Sequence, residues 1–128
     1  MNDPVIDLII RIKNASMVRN ETVEIDHSSY KEEVLKKLKS MKYIDGYEVV
    51  GDVKKTILIT LRYKDGVPAL TDLKIHSKPG ERVYTSYTKI KSVLGGMGSL
   101  VVSTPKGILT GKEAKNAKVG GELLFEIW

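Results

Sequence analysis

Apolar residues fall at helical spacing at the start of the chain and at strand spacing over much of the remainder. Val5, Leu8, Ile9 and Ile12 form one stripe of a helix, with Arg11, Lys13 and Asn14 off it. Asp3 before Pro4 supplies the start signal. An aspartate can accept from the free first-turn N–H groups, and proline is tolerated at the first helical position. Residues 21–26 alternate, with Val23 and Ile25 on one face, and predict a short strand. Ser29 and Glu32 have the spacing of a capping box, ahead of a second helix through Val34, Leu35, Leu38 and Met41. Its other face carries Lys31, Lys36, Lys37 and Lys39, which reads first as a solvated face and second as a phosphate contact. Residues 43–50 and 56–63 predict two strands, the second with Ile57, Ile59, Leu61 and Tyr63 on one side.

Asp65-Gly66 and Pro68 mark a break, taken as the boundary between lobes 1–65 and 66–128. In the second lobe, strands over 69–76 and 82–87 flank the turn Ser77-Lys78-Pro79-Gly80. A short helix over 88–94 is stopped by Gly95-Gly96, and a strand over 99–103 enters a turn at 104–107. A helical segment over 110–118 ends at Gly120-Gly121, and 122–128 alternates as a last strand inside the lobe. The predicted class is α+β with two small lobes. The first is helix–strand–helix–strand–strand, and the second is mostly antiparallel β with short helices.

Composition narrows the chemistry. The 128 residues suit one domain or two small lobes, and the absence of cysteine removes disulfides, thiol nucleophiles and thiolate metal sites. That fits a reducing cytosol. The longest apolar run, near Val5 to Ile10, is broken by Asp7 and falls short of the ~18 residues of a membrane span, so no membrane partner is expected. The N-terminus lacks the basic and apolar regions of a secretion signal. Net charge is +5, unevenly placed. Residues 1–66 hold 12 Lys/Arg against 11 Asp/Glu, whereas residues 67–128 hold 9 against 5. An excess of cations in the second half suits a polyanion, and equally a merely soluble basic domain.

An enzyme should show a nucleophile with its base, a metal set or a cofactor loop. The nearest approach to a phosphate loop, Gly107 to Lys112, has three residues between its glycines instead of four, and Glu113 stands where a magnesium-binding hydroxyl is needed. His27 and His76 are far apart with no ligand spacing, Ser103 is not in a G-x-S-x-G elbow, and no two carboxylates stand out as an acid–base pair. No enzyme activity, cofactor or metal is expected. The stretch from Gly98 to Thr110 is more informative. An apolar strand runs into a tight turn carrying Ser103, Thr104 and Lys106, small hydroxyls and a cation suited to RNA base edges, 2′-hydroxyls and phosphates. Tyr84 could stack on a base or serve only as a strand-forming residue.

These segments together resemble one family, the bacterial small-subunit ribosomal protein number eight, over essentially the whole chain. The opening run Asp3-Pro4-Val5-Ile6-Asp7-Leu8-Ile9-Ile10-Arg11-Ile12-Lys13-Asn14-Ala15 resembles its first helix. Ser77, Pro79, Gly80, Arg82 and Tyr84 are similar to its S-x-P-G-x-R-x-Y segment. Gly98, Val101-Val102, Ser103-Thr104, Gly107, Ile108-Leu109 and Ala114 resemble its signature, and Gly120-Gly121-Glu122 its final motif.

The resemblance implies a structural protein of the cytoplasmic ribosome. Its partners would be a helix with an irregular internal loop in the central domain of small-subunit ribosomal RNA, and neighbouring small-subunit ribosomal proteins. In many bacteria it also implies a regulatory contact to ribosomal-protein messenger RNA that imitates the loop. The RNA-binding surface it implies is Ser103, Thr104, Tyr84, Gly121 and Glu122. Lys106 would then meet phosphate, and Arg11, Lys13 and Lys31 would touch a neighbouring RNA segment. Two departures stand out. Pro105 replaces a frequent third hydroxyl, and Tyr30 a frequent lysine. Proline offers neither hydroxyl nor N–H and stiffens the turn instead. Two rivals remain at this point, an enzyme acting on nucleotides and a protein–protein scaffold.

Overall fold

The structure, a computed structural model, describes residues 3–92 and 94–128. The chain forms two compact units, one of Pro4–Thr71 and one of Asp72–Trp128 together with Asp3.

The first unit follows the predicted pattern closely. Helix α1 (Pro4–Met17) buries Val5, Leu8, Ile9 and Ile12, the four residues of the sequence stripe. Strand β1 (Thr22–Asp26) contributes Ile25, and helix α2 (Ser29–Ser40) contributes Val34, Leu35 and Leu38. Strands β2 (Ile44–Val50) and β3 (Thr56–Leu61) complete an antiparallel sheet in the order β1–β3–β2. The central strand turns Ile57, Ile59 and Leu61 inward, and alternation places these three on one face.

Two local expectations change here. The N-cap of α2 is Ser28, whose hydroxyl accepts from the Lys31 N–H at 3.1 Å, so the predicted Ser29–Glu32 box does not form. With the cap one residue earlier, Glu32 is no longer the third helical residue, and its carboxylate meets the His27 ring at 3.0 Å and the Tyr47 hydroxyl at 3.2 Å. Tyr63 leaves the β3 face. It opens the hairpin of β4 (Tyr63–Lys64) and β5 (Val67–Pro68), which turns at Asp65 and Gly66 with φ of 53° and 77°. Positive φ at both central residues is what an Asp-Gly hairpin turn supplies. The Arg19 guanidinium donates to the Gly66 carbonyl, tying the turn into the unit.

The second unit is a sheet built around its last strand. β6 (Leu73–Ile75) and β7 (Tyr84–Thr85) are short, and both pair with β10 (Gly121–Ile127) instead of with each other. On the other side, β10 pairs with β8 (Ser99–Thr104), which forms a hairpin with β9 (Gly107–Thr110). The irregularity between Leu123 and Phe125 frees the Leu124 carbonyl, which accepts from the N–H groups of His76 and Ser77. Helix α3 (Gly111–Ala117) starts with a true capping box between Thr110 and Glu113. It closes a core of Ile90, Leu100, Val102 and Ala114.

Boundaries again differ from the sequence reading. No α-helix spans the described part of 88–94. A 3-10 turn covers Tyr87–Lys89, and Val93 lies outside the described residues. The final helix stops at Lys118, in the left-handed conformation with φ 56°, so Gly120 and Gly121 serve the next strand and not the cap. Strand β9 occupies residues the sequence reading left between a turn and a helix, because it is only four residues long.

Candidate nucleic-acid interface

Strand pairing places the candidate residues. Glu122 lies opposite Tyr84 across β10–β7 and opposite Ser103 across β10–β8. Residues directly opposite in neighbouring strands share a face. Tyr84, Glu122 and Ser103 therefore form one row over three strands. Thr104 follows at the end of β8, and the four line an open groove of about 620 Å³ with Gly121. Five of the sequence-predicted residues thus meet in one place.

Tyr84 is 70% exposed, so its ring is a surface feature and not core. Two contacts fix the backbone beneath it. The Leu123 N–H donates to the Val83 carbonyl at 2.8 Å, and the Val83 N–H donates to the Ser77 hydroxyl at 2.9 Å. Ser77 is buried, and Gly80 has φ 81°, so the S-x-P-G segment is a shaped loop that leads into Tyr84 on the groove wall, with Arg82 behind it against Glu122.

The Thr104 hydroxyl is largely committed. It donates to the Gly107 carbonyl at 2.8 Å and accepts from the Lys106 N–H at 3.1 Å. A hydroxyl has one proton and two lone pairs, so what it retains for a ligand is one acceptor site. Lys106 is exposed at the turn beside the groove. Gly121 has a steric reason to be glycine, since a Cβ there would run into the Ser103 carbonyl. Gly120 is held in the same way against the Thr85 carbonyl. These glycines let β10 lie close between its neighbours.

Sequence reading missed Arg82. One of its terminal nitrogens, Nη1, donates to Asp3 at 2.7 Å and to Glu122 at 3.4 Å. The hydrogen bond to Asp3, ahead of the charges of Asp3 and Glu122, holds its guanidinium above the ordinary arginine value. The sequence placed Arg82 in a predicted strand over 82–87 and in the S-x-P-G-x-R-x-Y segment, and neither pointed to a partner. Thr85 and Ser86 also line the groove and add hydroxyls the sequence reading did not single out.

The first-unit cations sit differently. Arg11 and Lys31 share a smaller hollow of about 310 Å³ with Asp7, Glu24 and Asp26. Arg11 is ion-paired with Asp7 at 3.2 Å, and the Lys31 ammonium donates to the Asp26 carbonyl at 3.2 Å. Lys13 is not in that hollow. Two residues along a helix is a 200° rotation, so it faces away from Arg11. Among the described residues no three His, Asp or Glu side chains gather to hold a metal ion, and no helix is long and apolar enough to cross a membrane.

The groove is open, lined by hydroxyl-bearing residues and carried on a basic unit. The sequence pattern of the family described as Ribosomal protein S8 matches residues 3–128. The small ribosomal subunit protein uS8 of Mycoplasmopsis pulmonis is 48% identical to this chain over 129 residues, covering 100% of the chain and 98% of that protein. Those of Dictyoglomus thermophilum and Chloroflexus aurantiacus are 46% and 47% identical, with the same coverage. The chain belongs to the ribosomal protein S8 family, whose members are structural constituents of the small ribosomal subunit and not enzymes.

Proposed function

We propose that this protein binds small-subunit ribosomal RNA through the β7–β10–β8 groove, reading an irregular internal loop in a helix of the central domain and so promoting subunit assembly. The observation that carries the reading is the row of Tyr84, Glu122 and Ser103, continued by Thr104. A-form RNA hides its major groove, so a protein reads a shallow minor groove or splayed bases. Tyr84 supplies a flat face for stacking. The Ser103 hydroxyl gives and takes hydrogen bonds, and Thr104 and Glu122 accept. Lys106 meets phosphate beside the turn. Gly121 contributes by keeping Ser103 close to Glu122. Arg11, Lys13 and Lys31 touch a neighbouring RNA segment, weakly in the case of Arg11 and Lys31, which are already engaged within the hollow.

A messenger RNA for ribosomal proteins that copied the loop would occupy the same groove, which is the basis of a repressor role. Neighbouring ribosomal proteins are further partners of a subunit constituent.

The test is binding at fixed near-physiological salt to two RNAs, the central-domain helix with its internal loop and the same helix with the loop replaced by regular pairs. Much tighter binding to the first is expected. Equal weak binding would leave only electrostatic affinity and move the site elsewhere. Salt-insensitive affinity for a protein partner alone would favour a scaffold.

A further inference from the structure

We infer that Arg82 is a positioning residue for RNA specificity. Anchored on Asp3, it holds the Glu122 carboxylate in the groove so that nucleotides presenting an amine or hydroxyl donor are accepted and those without one are rejected. The inference rests on the groove being the RNA-binding surface.

The geometry is asymmetric. Arg82 Nη1 carries two protons and reaches two carboxylates, Asp3 Oδ2 at 2.7 Å and Glu122 Oε2 at 3.4 Å. The Asp3 side chain is only 9% exposed and makes the short contact, so it is the fixed end. Glu122, 20% exposed, is the end that faces the groove between Tyr84 and Ser103. Arg82 occupies one oxygen of Glu122, and the carboxylate retains further acceptor sites for a ligand.

A carboxylate in a groove for a polyanion is repulsive on its own. The guanidinium beside it, shared with Asp3, offsets part of that charge and fixes its direction. An ionised carboxylate has no proton to give. A nucleotide edge offering only acceptors would strip it of water and leave it unpaired, which is costlier than the loss of a bond between neutral groups. The amines of adenine, cytosine and guanine and the ribose 2′-hydroxyl are the donors that would satisfy it. Glu122 thus acts more by rejecting wrong nucleotides than by adding affinity, and Arg82 makes the rejection directional.

The test uses the loop-containing helix and a set of single-group changes in its loop. Each adenosine becomes purine riboside, each cytidine 2-pyrimidinone riboside, each guanosine inosine, and each ribose its 2′-deoxy form. Affinities are measured for the wild type, Arg82→Ala and Glu122→Gln at one salt concentration, with thermal melts as folding controls. A glutamine amide can turn over to offer a donor, so it loses the rejection. One change in the set is expected to weaken the wild type about tenfold. That penalty should shrink below about twofold in both variants, and the double variant should add nothing further. If Arg82→Ala fails to fold, Asp3→Asn releases the fixed end of the clamp and should shrink the same penalty.

A penalty that persists in Arg82→Ala, with or without a flatter salt dependence, overturns the inference, and a flatter slope would make Arg82 a phosphate contact. Loop preference in the wild type with no sensitive position overturns it too. Absence of loop preference in the wild type is a different failure, that of the groove as the RNA site.

Discussion

Thr104 Oγ1 donates to the Gly107 carbonyl at 2.8 Å, so the residue that faces the groove also closes the β8–β9 turn. Thr104→Ala therefore has two expected effects. Losing the turn bonds should lower stability by about 1 kcal/mol. Losing the contact should weaken binding to the loop RNA by about 1–3 kcal/mol while non-specific binding barely moves. Thr104→Ser keeps the hydroxyl and should restore both. Denaturant unfolding and paired binding curves separate the effects. Equal loss on cognate and scrambled RNA would confine Thr104 to the turn.

Gly121 meets a harder constraint. A Cβ at this position would strike the Ser103 carbonyl and approach Thr104 Cα to 3.1 Å, and both are backbone atoms that cannot swing aside. Gly121→Ala should cost about 1–3 kcal/mol, as overpacking does. It should also weaken RNA binding by pushing Ser103 away from Glu122. Gly80→Ala is the control. Nothing lies within 4 Å of its Cβ, and its φ of 81° alone should cost about 1 kcal/mol. Urea midpoints of the two variants test this, and loop-RNA affinity unchanged in Gly121→Ala would detach Ser103 from recognition.

The His27–Glu32–Tyr47 cluster predicts how stability responds to pH. The hydrogen bond from His27 holds the Glu32 carboxyl below its ordinary value of 4.5. A depressed carboxyl contributes stability that is present above 4.5 and is lost as pH falls through the folded value. Burial, then the Glu32 charge, pushes the Tyr47 hydroxyl above 10.0. A raised tyrosine contributes stability that is present below 10.0 and is lost as pH rises through the folded value. Tyr47→Phe should flatten the alkaline limb of the denaturation midpoint plotted against pH, and Glu32→Gln the acid limb. Limbs unchanged in both variants would show that the cluster does not couple to folding.

The pattern of apolar residues was enough to place α1, α2, β1, β2, β3 and β10, because each is long enough for its period to show. It failed where an element is short or a signal is ambiguous by one residue. Ser28 and Ser29 are chemically equal cap candidates, and only the backbone of Ser28, extended at φ −149° and ψ 152°, decides between them. β9 has four residues between two turn-forming positions, too few to reveal alternation. In the groove, the resemblance pointed to Tyr84, Ser103, Thr104, Gly121 and Glu122, but not to why they meet. Strand order is a long-range property, and residues 84, 103 and 122 become neighbours only because β10 pairs with both β7 and β8. Arg82 was out of reach for the same reason, since its partners are 79 and 40 residues away.

Cations on the two units should differ in how they feel salt. Lys106 stands exposed beside the groove, where RNA phosphate would displace only solvent and counterions. Lys106→Ala should reduce the log–log salt slope by about 0.7–0.9, the share of one phosphate contact. Arg11 is already paired with Asp7 at 3.2 Å, and phosphate reaching it would enter a hollow that also holds Glu24 and Asp26. Those carboxylates repel the phosphate and compete for the guanidinium, so Arg11→Ala should change the slope by well under half as much. Titrations of the loop RNA at several salt concentrations give both slopes. An unchanged slope for Lys106→Ala would put that lysine off the RNA. A full-sized change for Arg11→Ala would mean that the Asp7 pair opens on binding and the hollow receives phosphate.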